Sequence, residues 1–259
     1  MGTDRYAYLS RLRQVDPVAK TVLSISAGAV CLLCGGLAPG LGTLLVMGIL
    51  TTVWGKIPGR VFVRYLGIPI TFLLLGCVTI AVGIYDGNTG GVWGLSLGSQ
   101  VLGVTPASVH QALCVIAKSL GVISAVYFLT LNTPMTDRTG GLRRMHVPML
   151  LIELMDLIYR FIFVLTETAG KIRTAQDSRL GYQGVFRSLS SLGTLSSMVF
   201  LRAWKKADNV YAALESRGYT GTLLTVSEEY RPGNLCYGLI PLVWGTQMLC
   251  LLLEGKVFG

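Results

Sequence analysis

The stretch that decides the fold is residues 21–54, TVLSISAGAVCLLCGGLAPGLGTLLVMGILTTVW, which contains no charged residue in 34 positions. A helix needs roughly 20 apolar residues to cross the hydrocarbon core of a bilayer, so this stretch is too long for one span. Ala38-Pro39-Gly40 interrupts it near the middle. We therefore predict two short membrane spans, at about residues 22–37 and 41–54.

Outside this stretch, further uncharged runs predict spans at about residues 66–84, 109–131 and 235–253. The chain has 259 residues, of which 52% are hydrophobic and 14% charged, with a mean hydropathy of +0.60, which excludes an ordinary soluble domain, a disordered chain and a coiled coil. We expect an all-α, polytopic membrane protein with about five transmembrane helices and a cytoplasmic helical module. The expected parts are a cytoplasmic segment (1–20), four spans (21–132), the cytoplasmic module (133–233), and a last span with a short tail (234–259).

The distribution of cations predicts the orientation. Of the 22 Lys and Arg residues, 20 precede the first span, lie between spans two and three, or lie between spans four and five. These three places share one membrane face, and cytoplasmic loops carry the excess of Lys and Arg. We expect the N-terminus, retained rather than cleaved as a signal peptide, inside the cell and the C-terminus outside.

The loop at residues 86–106 is then extracytoplasmic. It carries six glycines and is too flexible for a standard helix. A mobile connector is one interpretation, and contact with a partner or substrate on the outer face is the other.

Cysteine and histidine predict no metal site or disulfide framework. All six cysteines fall in predicted spans, where cysteine behaves as a small buried hydrophobe. His110 and His146 are distant from each other in the predicted topology, and we expect each to be isolated.

The spans contain no Asp or Glu, which argues against a self-contained ion-coupled carrier, because such carriers usually hold acidic groups in the membrane. Lys118 is the one charge inside a predicted span, and both a functional role and snorkelling to the interface remain open. Gly170-Lys171 is followed by Ile172 and lacks the preceding glycine, so the chain has no phosphate-binding loop of the ATPase type.

The predicted cytoplasmic block, residues 137–231, holds 22 of the 35 charged residues. Pro148 suits a helix start, and we predict a long helix over residues 149–175, followed by helices at about 186–202 and 203–216. The first of these carries a narrow polar stripe in which Asp156 and Arg160 can pair. The stripe consists of Glu153, Asp156, Arg160 and Glu167.

Two of these helices end in similar sequences, Asp177-Ser178-Arg179-Leu180-Gly181-Tyr182 and Glu215-Ser216-Arg217-Gly218-Tyr219-Thr220-Gly221. Each end fits a simple C-cap, in which glycine takes the left-handed conformation and arginine complements the helix dipole. Two copies about 38 residues apart favour a docking pair, because arginine can form a bidentate contact with a partner carboxylate.

These residues give the chain a resemblance to the transmembrane (T) component of energy-coupling-factor ABC transporters, in its cobalt/nickel, CbiQ-like branch. The resemblance is strongest from Thr133 to Gly221. It rests on Gly141-Leu142-Arg143-Arg144, Val147-Pro148, Tyr159-Arg160, Arg173-Thr174-Ala175-Gln176, Ser178-Arg179-Leu180-Gly181-Tyr182 and Tyr211-Ala212-Ala213-Leu214-Glu215-Ser216-Arg217-Gly218-Tyr219.

The resemblance implies two x-Arg-Gly motifs, x being a small residue, that dock at the ends of coupling helices into two nucleotide-binding ATPase subunits. Ser216-Arg217-Gly218 matches this motif directly, whereas Leu180 separates Ser178-Arg179 from Gly181. The implied ATPase-coupling residues are therefore Ser178, Arg179, Gly181, Ser216, Arg217 and Gly218.

The resemblance also implies a separate membrane substrate subunit that captures the metal ion. This chain would then be a non-enzymatic subunit in the lipid bilayer of a prokaryotic cell, with no cofactor, metal ligand or nucleic-acid partner of its own. Two other classes stay open, a membrane enzyme using cytoplasmic Asp and Glu and a stand-alone membrane carrier. The sequence does not separate cobalt from nickel.

Overall fold

The computed structural model of the chain describes residues 2–34, 36–86, 93–97, 100–219, 230 and 232–258. The chain divides into two compact units. Unit 1 comprises residues 1–141 and 229–259, and unit 2 comprises residues 142–228.

Unit 1 contains the five helices that are long and apolar enough to cross a membrane within the described part of the chain. They are α2 (Pro17–Cys34), α3 (Leu37–Ile49) continued by a π-helical turn (Leu50–Trp54), α4 (Gly59–Ala81), α5 (Pro106–Asn132) and α9 (Asn234–Phe258). A short helix α1 (Gly2–Leu9) and a 3₁₀ turn (Arg11–Gln14) precede them. The predicted all-α polytopic membrane fold, with five spans, is confirmed.

The break between the first two spans lies earlier than the sequence suggested. Helix α3 begins at Leu37 after the extended residue Gly36, so Pro39 lies inside the first turn of α3 rather than between helices. Proline is tolerated in a first turn because the amide hydrogens there have no partner within the helix. The prediction that Ala38-Pro39-Gly40 separates the helices is therefore wrong by a few residues.

Helix α5 is the centre of unit 1 and packs against α2, α3 and α4, while α9 packs against α2 and α3. Helices α3 and α5 approach each other closely. A Cβ atom added to Gly121 would lie 2.8 Å from the carbonyl oxygen of Gly40 and 2.9 Å from Cys31 Sγ. Only glycine at this crossing lets the two backbones come so near.

Lys20, predicted to be a cation at the membrane face, is fully buried. Its Nζ donates to the carbonyl oxygens of Leu12 (3.0 Å) and Asn132 (3.3 Å). The Asn132 side chain in turn accepts from Ser10 Oγ at 2.8 Å. This network fastens the N-terminal segment to the end of α5, because a buried ammonium group must be satisfied by hydrogen bonds.

The glycine-rich loop contains a small sheet that the sequence analysis did not predict. The strands are β1 (Val82–Asp86), β2 (Trp93–Leu97) and β3 (Gln100–Val104). They pair antiparallel in the order β1-β3-β2, with Gly83 and Gly94 both opposite Gly103. The apolar and aromatic residues between the glycines favour strands, and the expectation that this loop is not a standard helix agrees with the described residues. Residues 87–92 and 98–99 lie outside the described residues.

Helix α6 (Met135–Arg144) links the two units along the chain. Unit 2 is built mainly from α7 (Met149–Asp177) and α8 (Val185–Glu215), which pack against each other. The long helix after Pro148 is confirmed. The two helices predicted at 186–202 and 203–216 form one helix, because no Gly or Pro stands between them to interrupt it.

Helix α8 presents large apolar side chains to its surroundings. Val185, Phe186 and Leu189, near its first turn, are 82%, 90% and 68% exposed. An amphipathic helix normally buries such a stripe against a neighbouring element.

Candidate functional site

The end of α7 forms a Schellman turn. The amide of Gly181 donates to the carbonyl oxygen of Gln176 (2.9 Å), and the amide of Leu180 donates to that of Asp177 (2.9 Å). Leu180 is left-handed, with φ of 59°. This pair of hydrogen bonds around one left-handed residue defines the motif and satisfies two free carbonyls of the helix.

The end of α8 repeats the same geometry. The amide of Tyr219 donates to the carbonyl oxygen of Leu214 (3.0 Å), and the amide of Gly218 donates to that of Glu215 (3.0 Å). Gly218 takes the left-handed position, with φ of 74°.

The two helix ends therefore correspond without a gap, 38 residues apart. Ser178 matches Ser216, Arg179 matches Arg217, and Leu180 matches Gly218. We expected a glycine to be the left-handed residue at both helix ends. This is right for Gly218 but wrong for Gly181, because the left-handed residue at the first end is the preceding Leu180. At the end of α7, Ser178-Arg179-Leu180 thus has the same turn as Ser216-Arg217-Gly218 at the end of α8. Thr220 and Gly221, quoted for the second end, lie outside the described residues.

Gly181 has a different role, as a close contact between the turn and α8. A Cβ atom at this position would lie 2.8 Å from Ser191 Oγ and 2.9 Å from the carbonyl oxygen of Gln176. Ser191 Oγ donates to the carbonyl oxygen of Gly181 at 2.7 Å. A side chain here would displace Ser191 and loosen the turn.

Side chains from both helices hold this turn in place. Tyr182 donates from its hydroxyl to Gln176 Oε1 (2.8 Å), and Gln176 Nε2 donates to the carbonyl oxygen of Ser191 (3.1 Å). The Arg173 guanidinium lies 5.6 Å from the centre of the Tyr182 ring, within range of a cation–π contact. Arg179 is thus carried on a turn with few degrees of freedom.

Arg179 and Arg217 are both exposed. Among the residues that the structure describes, neither guanidinium has an ion-pair or hydrogen-bond partner. A guanidinium held on an ordered turn and presented outward suits a bidentate contact with a carboxylate of another protein.

Arg217 also borders an open groove of about 390 Å³ between α7 and α8. The groove is lined by Glu153, Asp156 and Arg160 together with apolar side chains. The predicted ion pair between Asp156 and Arg160 does not form, whereas Glu167 and Lys171, one turn apart on the same helix, pair at 2.7 Å. The Arg160 side chain is exposed, whereas the Asp156 side chain is half-buried.

Tyr219 connects the end of α8 to α7 beside this groove. Its hydroxyl donates to Oε2 of the buried Glu153 at 3.3 Å. Burial of the phenol and the adjacent Glu153 carboxylate raise the pKa of Tyr219 above its ordinary value. The phenol therefore stays protonated, and able to donate, throughout the physiological pH range.

The structure brings together one group of residues that the sequence analysis left apart. His110, Cys114 and Glu254 lie in unit 1 with their ligand atoms within 4.8 Å of one another. The expectation that His110 is isolated is wrong. Glu254 was assigned to the tail beyond the last span, but α9 continues past it to Phe258.

Comparison with known proteins identifies relatives of the chain. The family model of CbiQ, a cobalt transport protein, matches residues 11–227, a range that includes both helix ends. The cobalt transport protein CbiQ of Salmonella typhimurium is 31% identical, over 85% of this chain and 97% of that protein.

Two other relatives differ in length or in name. The putative fused cobalt transport protein CbiMQ of Methanocorpusculum labreanum is 31% identical over 87% of this chain, but the match covers only 38% of the fused protein. The energy-coupling factor transporter transmembrane protein EcfT of Listeria innocua is 27% identical over 82% of each chain.

Proposed function

Because the chain belongs to the CbiQ family of cobalt transport proteins, we propose that it couples ATP hydrolysis by partner subunits to the import of a transition-metal ion, cobalt or nickel. The chain is a multi-pass membrane component of a transporter. The proposed role is that of a non-catalytic scaffold between two nucleotide-binding ATPase subunits and a separate metal-capturing membrane subunit.

The observation that carries this proposal is the pair of helix ends with matching turns and exposed arginines. Ser178-Arg179-Leu180 and Ser216-Arg217-Gly218 have the same backbone hydrogen bonds and the same left-handed third residue. Two equivalent contacts on one subunit suit two copies, or two related forms, of one partner. Gly181 contributes by fixing the first turn against α8.

We assign Arg179 and Arg217 the contacts with carboxylates on the ATPase subunits. When the ATPases close on ATP, the two contacts would move as parts of rigid helices, because α7 and α8 are single helices of 29 and 31 residues. Rigid-body motion of packed helices is a common way to transmit such a change. The orientation that fits is a cytoplasmic N-terminus and an extracytoplasmic C-terminus, with unit 2 on the cytoplasmic face.

The partner that captures the metal is proposed from the relatives. The fused relative is much longer than the segment that matches this chain, which supports a working association with a second component. The exposed apolar stripe at the start of α8 gives unit 2 a surface that such an assembly would cover.

The test is co-purification of a tagged full-length chain expressed with its candidate ATPase and substrate subunits. We expect the unaltered chain to retain the ATPases and the double variant Arg179→Glu, Arg217→Glu to lose them. Arg202→Glu is the matched control, since Arg202 is an exposed arginine in the middle of α8 rather than at a helix end.

The proposal fails if the double variant retains both the ATPases and metal uptake. If no ATPase accompanies the unaltered chain, or if uptake persists without any ATPase, a stand-alone carrier or a membrane enzyme becomes the better description.

A further inference from the structure

We propose that His110, Cys114 and Glu254 form a binding site for a first-row divalent transition-metal ion of the Co²⁺ or Zn²⁺ type. The site lies at the end of unit 1 where α3 and α5 begin and α9 ends. It uses this chain's own residues and does not depend on the proposed coupling role.

The three side chains converge from two helices. His110 and Cys114 are one turn apart in the first part of α5, and Cys114 Sγ lies 3.7 Å from His110 Nδ1. Glu254 comes from α9, and its carboxylate lies within 4.8 Å of both ligand atoms. A shared ion about 2.0–2.3 Å from each donor requires the donors to be about 3.5 Å apart, so a small inward movement completes the geometry. His110 is exposed and has room to make that movement.

The Glu254 carboxylate is already held in place by α3. Its Oε1 accepts from the amide of Leu37 (2.9 Å), and its Oε2 accepts from the amide of Ala38 (3.0 Å). Gly36 gives it room, because a Cβ atom there would overlap the carboxylate. The carboxylate therefore lies at the N-terminal end of α3, where the free amides of a helix attract an anionic side chain.

These two amide bonds leave the carboxylate able to bind a cation. An ionised carboxylate offers about four lone-pair positions, of which the amides occupy two. Outer hydrogen bonds of this kind orient metal ligands in known sites.

The donor set selects the class of ion. Imidazole nitrogen and thiolate sulfur suit Zn²⁺, Co²⁺ and Ni²⁺, whereas Mg²⁺ and Ca²⁺ prefer sites made of oxygen alone. Three protein ligands leave a fourth position for water, which is typical of sites that exchange a ligand and not of closed structural sites. A bound ion would also tie the start of α5 to the end of α9.

The test is titration of the purified full chain in detergent micelles with Co²⁺. Coordination by Cys114 produces a thiolate-to-cobalt charge-transfer band in the near ultraviolet, which no binding through oxygen or nitrogen alone can produce. We expect the unaltered chain to show this band at one equivalent of Co²⁺, and excess Zn²⁺ but not excess Mg²⁺ to remove it.

The variants assign the ligands. Cys114→Ser should abolish the band, and His110→Gln and Glu254→Gln should each weaken Co²⁺ binding by about tenfold or more. Cys250→Ser is the matched control, since Cys250 is a cysteine of α9 one turn before Glu254 but lies outside the cluster. It should leave the band and the affinity unchanged.

The proposal is overturned if the unaltered chain shows no band, or if Cys114→Ser binds Co²⁺ as the unaltered chain does. Because Glu254 also caps α3, each variant's thermal unfolding without metal is measured alongside, and His110→Gln, at an exposed position, keeps the test decisive if Glu254→Gln unfolds. Absence of the band in the unaltered chain, together with normal ATPase co-purification, would reject this site alone. A band in the unaltered chain without ATPase co-purification would reject only the coupling role.

Discussion

Leu180 and Gly218 occupy the same left-handed position in two equivalent helix-ending turns, although one is a branched apolar residue and the other has no side chain. A non-glycine residue in this conformation is strained by about 1–2 kcal/mol, because its Cβ crowds the following carbonyl. The first turn tolerates the strain because Gln176, Tyr182 and Ser191 fix it by hydrogen bonds.

Exchanging the residue types at these positions should have opposite effects. We expect Leu180→Gly to stabilise the first turn by about 1 kcal/mol, and Gly218→Leu to destabilise the second by about 1–2 kcal/mol. Hydrogen exchange of the full chain in micelles, read at the amides of each turn, measures both. Equal protection of the second turn in Gly218→Leu and the unaltered chain would contradict the assignment of strain.

This pair also shows what sequence reasoning could and could not supply. The existence of two capped helix ends was predictable, since an acidic residue, serine and arginine precede a Gly-Tyr pair in both. Which residue becomes left-handed was not, because the glycine of the first end is needed one position later, against Ser191. Local propensity favoured Gly181 as the left-handed residue, but the close contact of Gly181 with Ser191 places Leu180 in that conformation instead.

The membrane spans were predictable for a different reason. Their length and lack of charge are fixed by the thickness of the bilayer, so the sequence alone locates them to within a few residues. Glu254 contacts Leu37 and Ala38 at the start of α3, which are separated from it by 217 and 216 positions in the sequence. No local pattern signals a contact over that distance. The burial of Lys20 was missed because a lysine next to a span is usually a solvated flank.

The crossing of α3 and α5 gives a second prediction. Gly121→Ala should destabilise the protein, because the added methyl group overlaps the backbone of Gly40, and overpacking of this kind costs about 1–3 kcal/mol. For a chain of this size, the thermal midpoint in micelles should fall by about 2–12 °C.

Gly76→Ala is the matched control for this substitution. Gly76 lies inside α4 with no atom within 4 Å of an added Cβ. Alanine improves helix propensity by about 1 kcal/mol there, so its midpoint should stay the same or rise. A Gly121→Ala variant as stable as Gly76→Ala would show that the two helices do not depend on close backbone contact.

The buried Lys20 gives a third prediction. Lys20→Met keeps the length of the side chain but leaves the carbonyl oxygens of Leu12 and Asn132 without their donor. We expect a loss of about 2–4 kcal/mol, which corresponds to a fall in the thermal midpoint of about 4–16 °C.

Lys205→Met, the same substitution at an exposed position of α8, should change the midpoint by about 2 °C or less. If both variants have the same thermal midpoint as the unaltered chain, Lys20 does not stabilise the N-terminal segment.

The fourth prediction concerns Tyr219, whose hydroxyl is the link from the end of α8 to Glu153 of α7. Tyr219→Phe removes that hydrogen bond and keeps the ring, so unit 2 should remain folded while the last turn of α8 opens more often. Amide protection at residues 214–219 should fall roughly two- to tenfold, the effect of one hydrogen bond.

Tyr182→Phe serves as the comparison at the other helix end, where the hydroxyl donates to Gln176 within the same turn. It should loosen the first turn and leave residues 214–219 unchanged. If the proposed coupling role is right, Tyr219→Phe should also keep ATPase association, because Arg217 is still present, yet lower the uptake per ATP hydrolysed. Association lost together with uptake would instead mean that the hydroxyl is needed to hold Arg217 in its binding position.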